Sequence, residues 1–134
     1  MAVNDNGDIY VKLRLDYGRN GNVALRDENG DGRADVIERF GDYPNDGRFA
    51  TEMKINNDYL YFSSERVIYR QKLNPNKLVP DSPIEVLLTD PFPIRWHNAK
   101  SIAFDKENNM YVTFSGFTNS CLLYTSPSPR DVSL

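Results

Sequence analysis

The chain has 134 residues, a net charge of −3 and 40% hydrophobic residues, a balance that suits one ordinary folded domain. Aromatic residues make up 12% and include eight tyrosines, which favours an all-β protein over a disordered chain. The acidic charge without a basic stripe argues against a nucleic-acid partner, and no apolar run approaches the roughly 18 residues that a membrane span needs.

The predicted elements are short strands separated by turns. The first has Ile9, Val11, Leu13 and Leu15 on one face, as in a half-buried strand. Glycine- and asparagine-rich turns, a polar loop and proline-rich connections separate the strands that follow. The strands are predicted at 9–15, 23–25, 34–40, 59–63, 67–73, 84–88, 101–104 and 110–114. No segment longer than about ten residues shows a helical period.

One pattern occurs three times: an apolar residue, a polar turn, and an aliphatic-Tyr pair that opens a strand. Its tyrosines, Tyr10, Tyr61 and Tyr111, are 51 and 50 residues apart. A repeat of this length built from short strands indicates a β-propeller with one blade per repeat. Because propellers have four to eight blades, we expect an all-β, partial β-propeller of two to three antiparallel blades. Functional residues are then expected on the loops at one end of the blades.

The end of the chain departs from this pattern. Residues 121–131 resemble the translation of a transposase-type sequencing adapter. We therefore expect residues 1–120 to form the partial propeller and residues 121–134 to be a non-native, unstructured tail. On this interpretation the natural gene continues past Ser120. A Ser/Pro-rich linker is the alternative interpretation.

An acidic loop between two predicted strands has the spacing of a calcium loop. Oxygen-bearing side chains alternate along it, a glycine permits the sharp turn, and a glutamate closes it. The candidate ligands are Asp27, Asn29, Asp31 and Asp35, with Glu38 carried away by the following strand. The flanking segments are strands rather than helices. A plain hairpin turn, in which Asp and Asn bond to their own backbone, is therefore the alternative.

His97 is the single histidine and closes a long Pro-rich connection directly before a predicted strand. Propeller site residues lie on such connections. A cationic Lys100 three residues away would favour the neutral imidazole, which is the form that a general base needs. The alternative is an ordinary surface or hydrogen-bonded loop histidine.

The same segment resembles the glucose/sorbosone dehydrogenase family. The resemblance is carried by His97-x-x-Lys100-Ser101-Ile102-Ala103-Phe104-Asp105, Met110-Tyr111-Val112 and Asn119-x-Cys121, with further likeness at residues 2–11 and 26–35. Members of that family are six-bladed propellers that use pyrroloquinoline quinone. The resemblance implies that His97 is the catalytic base and that Lys100 and Asn119 contact the cofactor. Ser115 departs from the family's usual glycine.

The resemblance also implies a wider setting. The parent protein would oxidise a sugar or polyol, pass electrons to an acceptor that can be a protein, and work in the periplasm or outside the cell. The chain by itself is expected to be inactive, because an open propeller cannot enclose a cofactor. A non-catalytic propeller that binds carbohydrate or protein is the alternative function.

Overall fold

Strands and turns make up the described part of this computed structural model, which comprises residues 1–13, 21–43, 52–91, 100–114 and 132–133. The strands are β1 (Ala2–Val3), β2 (Ile9–Lys12), β3 (Asn22–Arg26), β4 (Val36–Phe40), β5 (Met53–Asn56), β6 (Tyr59–Ser63), β7 (Val67–Lys72), β8 (Ile84–Thr89), β9 (Ile102–Phe104), β10 (Met110–Val112) and β11 (Val132–Ser133). The prediction of an all-β fold is confirmed. Within these ranges no helix has the length and hydropathy to cross a bilayer.

The strands form three antiparallel sheets. Sheet 1 has the order β1-β2-β3-β4, sheet 2 the order β5-β6-β7-β8, and sheet 3 the order β9-β10-β11. Each sheet therefore follows the chain as a simple meander. The first strands, β1, β5 and β9, lie next to one another in that order. Meandering sheets that meet along their first strands are arranged as successive propeller blades, and the described strands do not close into a ring.

The three repeated tyrosines occupy equivalent positions, as the sequence predicts. Tyr10, Tyr61 and Tyr111 each lie in the second strand of their sheet. Tyr10 is paired with Ala2, and Tyr111 is paired with Ala103. The turns before these strands differ. The first and third turns use Gly7 and Asn108 with φ of 93° and 65°, whereas the second is a two-residue turn whose residues both have positive φ.

Sheets 1 and 2 are joined by an aromatic core. The ring centroid of Tyr43, a residue that follows β4, lies 5.1 Å from that of Phe62 and 5.0 Å from that of Tyr69. The Tyr10 hydroxyl, on sheet 1, donates a hydrogen bond of 2.8 Å to the carbonyl of Leu78, which lies in the connection between β7 and β8. Burial, together with the nearby Asp8 carboxylate, raises the pKa of Tyr10 to about 12.

Sheets 2 and 3 repeat this arrangement. Tyr61 of sheet 2 packs towards sheet 3, where its ring centroid lies 4.7 Å from that of Phe104. Met110 and Val112 of sheet 3 are buried in the same core. At both contacts the face that carries the tyrosine packs against the following sheet. In sheets 2 and 3, the residues on either side of the tyrosine face the preceding sheet.

This rule corrects one expectation about β2. Its more buried face carries Tyr10 and Lys12, whereas Ile9 and Val11 are half-buried. The reason is that sheet 2 covers the tyrosine face, and no sheet of the described residues covers the other. The sequence analysis also omitted β1, β5 and β11, and it started the strand that corresponds to β4 at Ala34, two residues before β4 begins.

A partly buried ion pair ties the turn before β2 to β3. The Arg26 guanidinium donates to both carboxylate oxygens of Asp8, over 2.8 and 2.7 Å, and Asp8 is 2% exposed. The hydrogen bond from Arg26 holds the pKa of Asp8 below its ordinary value of 3.8. The ionised carboxylate therefore stabilises the folded state above pH 3.8, and this contribution is lost as pH falls through the lowered pKa.

We expect acid to destabilise the protein partly through Asp8. The free energy of unfolding, measured by denaturant titration, should fall as the pH drops below about 4. In Asp8→Asn this fall should be shallower, because the variant has no carboxylate to protonate. Asp58→Asn, which changes an exposed turn residue, is the control. Identical pH profiles for the parent and Asp8→Asn would contradict the assignment.

Candidate functional site

Strand direction assigns the connections to two opposite edges of the sheets. We call the edge where Lys12, Ser63 and Val112 end their strands the upper edge, and the opposite edge the lower edge. The connection that contains His97 leaves β8 and enters β9 at the upper edge, whereas the acidic loop at 27–35 joins β3 to β4 at the lower edge. The described ends of this connection and the predicted calcium ligands therefore belong to opposite edges.

Buried polar side chains concentrate at the upper edge. Of the eight buried polar residues among those described, six lie there: Lys12, Asn22, Ser63, Ser64, Asp90 and Lys100. Within the same described ranges, Asn22 Nδ2 and Ser63 Oγ are buried without a hydrogen-bond partner. Because native proteins pair nearly all buried polar atoms, such atoms require an explanation. The upper edge is thus the chemically richer end of the molecule.

The first polar group of this edge surrounds Tyr43. Its hydroxyl donates to Asn22 Oδ1 over 3.0 Å, and the Lys12 ammonium lies 5.2 Å from its ring centroid. Gly41 makes this packing possible, since its φ is 95° and an added Cβ would lie 2.8 Å from both Asn22 and Tyr43. The sequence analysis did not identify this group, because its members are distant in sequence.

The second polar group holds together the two ends of the connection that contains His97. The Lys100 ammonium lies 3.5 Å from Asp90 Oδ2 and donates to the backbone carbonyl of Glu65. The Asp90 amide donates to the Arg66 carbonyl over 2.6 Å, and Arg66 Nη2 donates to the Asp90 carbonyl over 3.3 Å. Both ends of the connection are thereby fixed to the turn between β6 and β7. We call Asp90, Lys100, Glu65 and Arg66 the loop clamp.

The loop clamp gives Lys100 a structural role that the sequence analysis did not predict. Its side chain is 1% exposed, and its ammonium, which also lies 5.7 Å from the Phe114 ring centroid, is enclosed by protein groups. These contacts fit a positioning role, since the ammonium holds the two ends of the connection together. The contact of Lys100 with a cofactor stays a prediction. His97 and Asn119, the predicted base and the second predicted cofactor contact, lie outside the described residues.

The acidic loop has the internal bonding of a hairpin turn. Asp27 accepts hydrogen bonds of 2.7 Å from the amides of Gly30 and Gly32, and Asp35 accepts one of 2.7 Å from the amide of Glu28. Asn29 and Asp31 each bond to the amide two residues ahead. The hydrogen bonds that Asp27 accepts from backbone amides, the one from Gly32 foremost, lower its pKa.

This geometry supports the hairpin alternative without testing calcium directly. In the described ranges no three His, Cys, Asp or Glu side chains are grouped so that they could hold a metal ion. Glu38 lies in β4, paired with Ala24, as the sequence analysis expected of a strand residue. A calcium site at Asp27, Asn29, Asp31 and Asp35 therefore remains a prediction.

Calorimetry separates the two interpretations of the loop. If the loop binds calcium, titration to millimolar calcium should release or absorb heat, and Asp27→Asn should abolish the signal by removing a carboxylate ligand. Asp58→Asn, at the same edge but outside the loop, should leave the signal intact. A titration of the parent without heat would assign the loop to the hairpin turn alone.

The loop clamp predicts that Lys100→Met lowers the free energy of unfolding substantially. This change leaves the buried Asp90 carboxylate without its ammonium partner, and loss of one partner of a buried pair costs about 3–5 kcal/mol. Adding Asp90→Asn removes the stranded charge and should restore part of the free energy of unfolding. Lys77→Met breaks an exposed pair with Asp81 and should change the free energy of unfolding by less than about 1 kcal/mol. Equal effects of the two lysine changes would rule out the clamp.

Comparisons with known proteins identify no relative of this chain. Neither the protein-family models, nor the curated proteins, nor the solved structures contain a match to this chain.

Proposed function

We propose that residues 1–120 supply consecutive blades of a larger β-propeller that oxidises a sugar or polyol with pyrroloquinoline quinone, as enzymes of the glucose/sorbosone dehydrogenase type do. The observation that carries the proposal is the loop clamp. It fixes both ends of the connection that contains His97 at the edge where buried polar groups concentrate. A general base must be held in a defined position relative to the substrate, and the loop clamp fixes the two ends of this connection.

In this proposal His97 accepts the proton of the substrate hydroxyl. Pyrroloquinoline quinone, when bound, supplies the two-electron oxidant for the sugar carbon. Lys100 acts through Asp90, by keeping the connection closed. The described contacts of its ammonium are Asp90, the Glu65 carbonyl and the Phe114 ring, and its contact with the cofactor stays a prediction. Asn119 keeps its predicted role as a cofactor contact.

The wider setting belongs to the same proposal. The enzyme works in the periplasm or outside the cell and delivers its electrons to an acceptor that can be a protein. A calcium ion bound by the acidic loop would stabilise the lower edge, away from the reacting groups. The competing function is a propeller that binds carbohydrate or protein without chemistry. It predicts sugar binding that is independent of the quinone.

The test is His97→Ala in the full-length propeller loaded with pyrroloquinoline quinone. Sugar-dependent dye reduction should fall by roughly 10²–10⁴-fold, mostly in kcat, because general-base assistance contributes about this much. Lys77→Met, at the exposed lower edge, is the control and should retain activity.

Two outcomes would reject the catalytic proposal. Activity of His97→Ala within about threefold of the parent would show that the imidazole is not the base. Sugar binding by the parent with no quinone-dependent turnover would favour the binding module. Equilibrium dialysis of the quinone against the parent and Asn119→Ala gives a readout that does not depend on turnover.

A further inference from the structure

A cleft of about 350 Å³ lies at the lower edge, between sheet 1 and the connection from β7 to β8. Its floor is apolar and consists of Val36 from β4 with Leu78 and Val79 from the connection. Leu78 is buried, and the two valines are half-buried against the core that joins sheets 1 and 2. The rim of the cleft is charged and consists of Arg26, Glu28, Glu38 and Lys77. An apolar floor with a few polar groups around it is typical of small-molecule sites.

Both walls of the cleft are held by hydrogen bonds. The Tyr10 hydroxyl ties the connection to sheet 1 through its bond to the Leu78 carbonyl. The Ser82 hydroxyl donates to the Lys72 carbonyl over 2.6 Å, which closes the connection onto the end of β7. On the opposite wall, β3 and β4 are paired along their full length. The cleft is therefore formed before a ligand arrives, which reduces the cost of binding.

The two cations of the rim already have partners. The Arg26 guanidinium makes two hydrogen bonds to the Asp8 carboxylate, and the Lys77 ammonium lies 2.8 Å from Asp81 Oδ2. A carboxylate thus balances each positive charge. An anionic ligand would have to compete with these carboxylates for the same cations.

The two anions of the rim have no such partners. Among the described residues, neither the Glu28 nor the Glu38 side chain makes an ion pair, and both are exposed. Glu28 lies close enough to Arg26 to add to its raised pKa, a shift that comes first from the hydrogen bond to Asp8. The charge that remains for a ligand is therefore negative, and the cleft is complementary to a cation with an apolar body.

Strand register sets the spacing of the two carboxylates. Val36 is paired with Arg26, and Glu38 lies two residues further along β4. Glu28 lies two residues beyond Arg26 in the opposite direction. The apolar Val36 therefore lies between the two glutamates. At about 3.3 Å per residue, their backbone positions are up to about 13 Å apart.

We propose that this cleft binds a linear aliphatic diamine, with one ammonium group at Glu28, the other at Glu38, and the methylene chain on the apolar floor. The two carboxylates attract the ammonium groups, and the floor removes the methylene groups from water. The cleft lies at the edge opposite to the two ends of the connection that contains His97. The inference therefore goes beyond the proposed sugar oxidation and does not depend on it.

Titration of the full chain with octamethylenediamine, followed by NMR of the valine methyl groups, tests the site. The signals of Val36 and Val79 should shift and reach saturation. Octylamine has the same chain with one ammonium group, so it should bind about two- to fivefold more weakly, which is the ratio expected for the loss of an exposed ion pair. Added salt should weaken the binding of the diamine, because both contacts are exposed.

Glutamine substitutions test the two carboxylates separately. Glu28→Gln and Glu38→Gln should each weaken the binding of the diamine about two- to fivefold and remove its advantage over octylamine. Glu107→Gln is the matched control, since Glu107 is exposed in a turn at the same edge but does not line the cleft; this variant should bind like the parent. Circular dichroism checks that each variant keeps the strand content of the parent.

Three results would overturn the proposal. The first is a titration of the parent without saturable shifts at Val36 and Val79. The second is octylamine binding as tight as that of the diamine. The third is a Glu38→Gln chain that binds the diamine like Glu107→Gln.

Discussion

The packing of a tyrosine-bearing sheet face against the next sheet is the contact on which the rest of this structure depends. Each sheet is a meander of short strands and has no closed core of its own. Burial of Tyr10 against sheet 2 and of Tyr61 against sheet 3 removes apolar surface from water on both sides of each contact. Because the same face is used each time, the sheets succeed one another in a fixed direction.

That direction fixes the location of the polar groups. Strands that alternate in direction send every second connection to the upper edge, so Lys12, Asn22, Ser63 and Lys100 gather there although they are distant in sequence. The adjoining sheet cores shield these groups from solvent, and electrostatic interactions are stronger in such surroundings. The loop clamp is the clearest result, since an ion pair between Lys100 and Asp90 that would be weak in water becomes a structural requirement when it is buried.

Two turns at the lower edge are stabilised by local hydrogen bonds. Each turn satisfies its own backbone amides, as Asp27 does for Gly30 and Gly32, and as Asp105 does for Glu107 and Asn109. Asp27 is exposed and Asp105 is half-buried, and the hydrogen bonds that they accept from these amides are local. Turns of this type fix the strand register and need no partner elsewhere in the molecule. The connection that contains His97 begins and ends at the upper edge, so its two ends are separated from the acidic loop by the length of the strands.

The sequence by itself determined eight of the eleven described strands, their turns and the repeat, because alternation of side chains and turn chemistry are local properties. It placed Tyr10, Tyr61 and Tyr111 correctly and identified Lys100 as a residue of interest. Tertiary structure alone decided which face of β2 is buried, because that depends on which side carries a neighbouring sheet. It also decided the partners of Lys100. Its partners, Asp90 and the Glu65 carbonyl, lie 10 and 35 residues away, and no local pattern relates them.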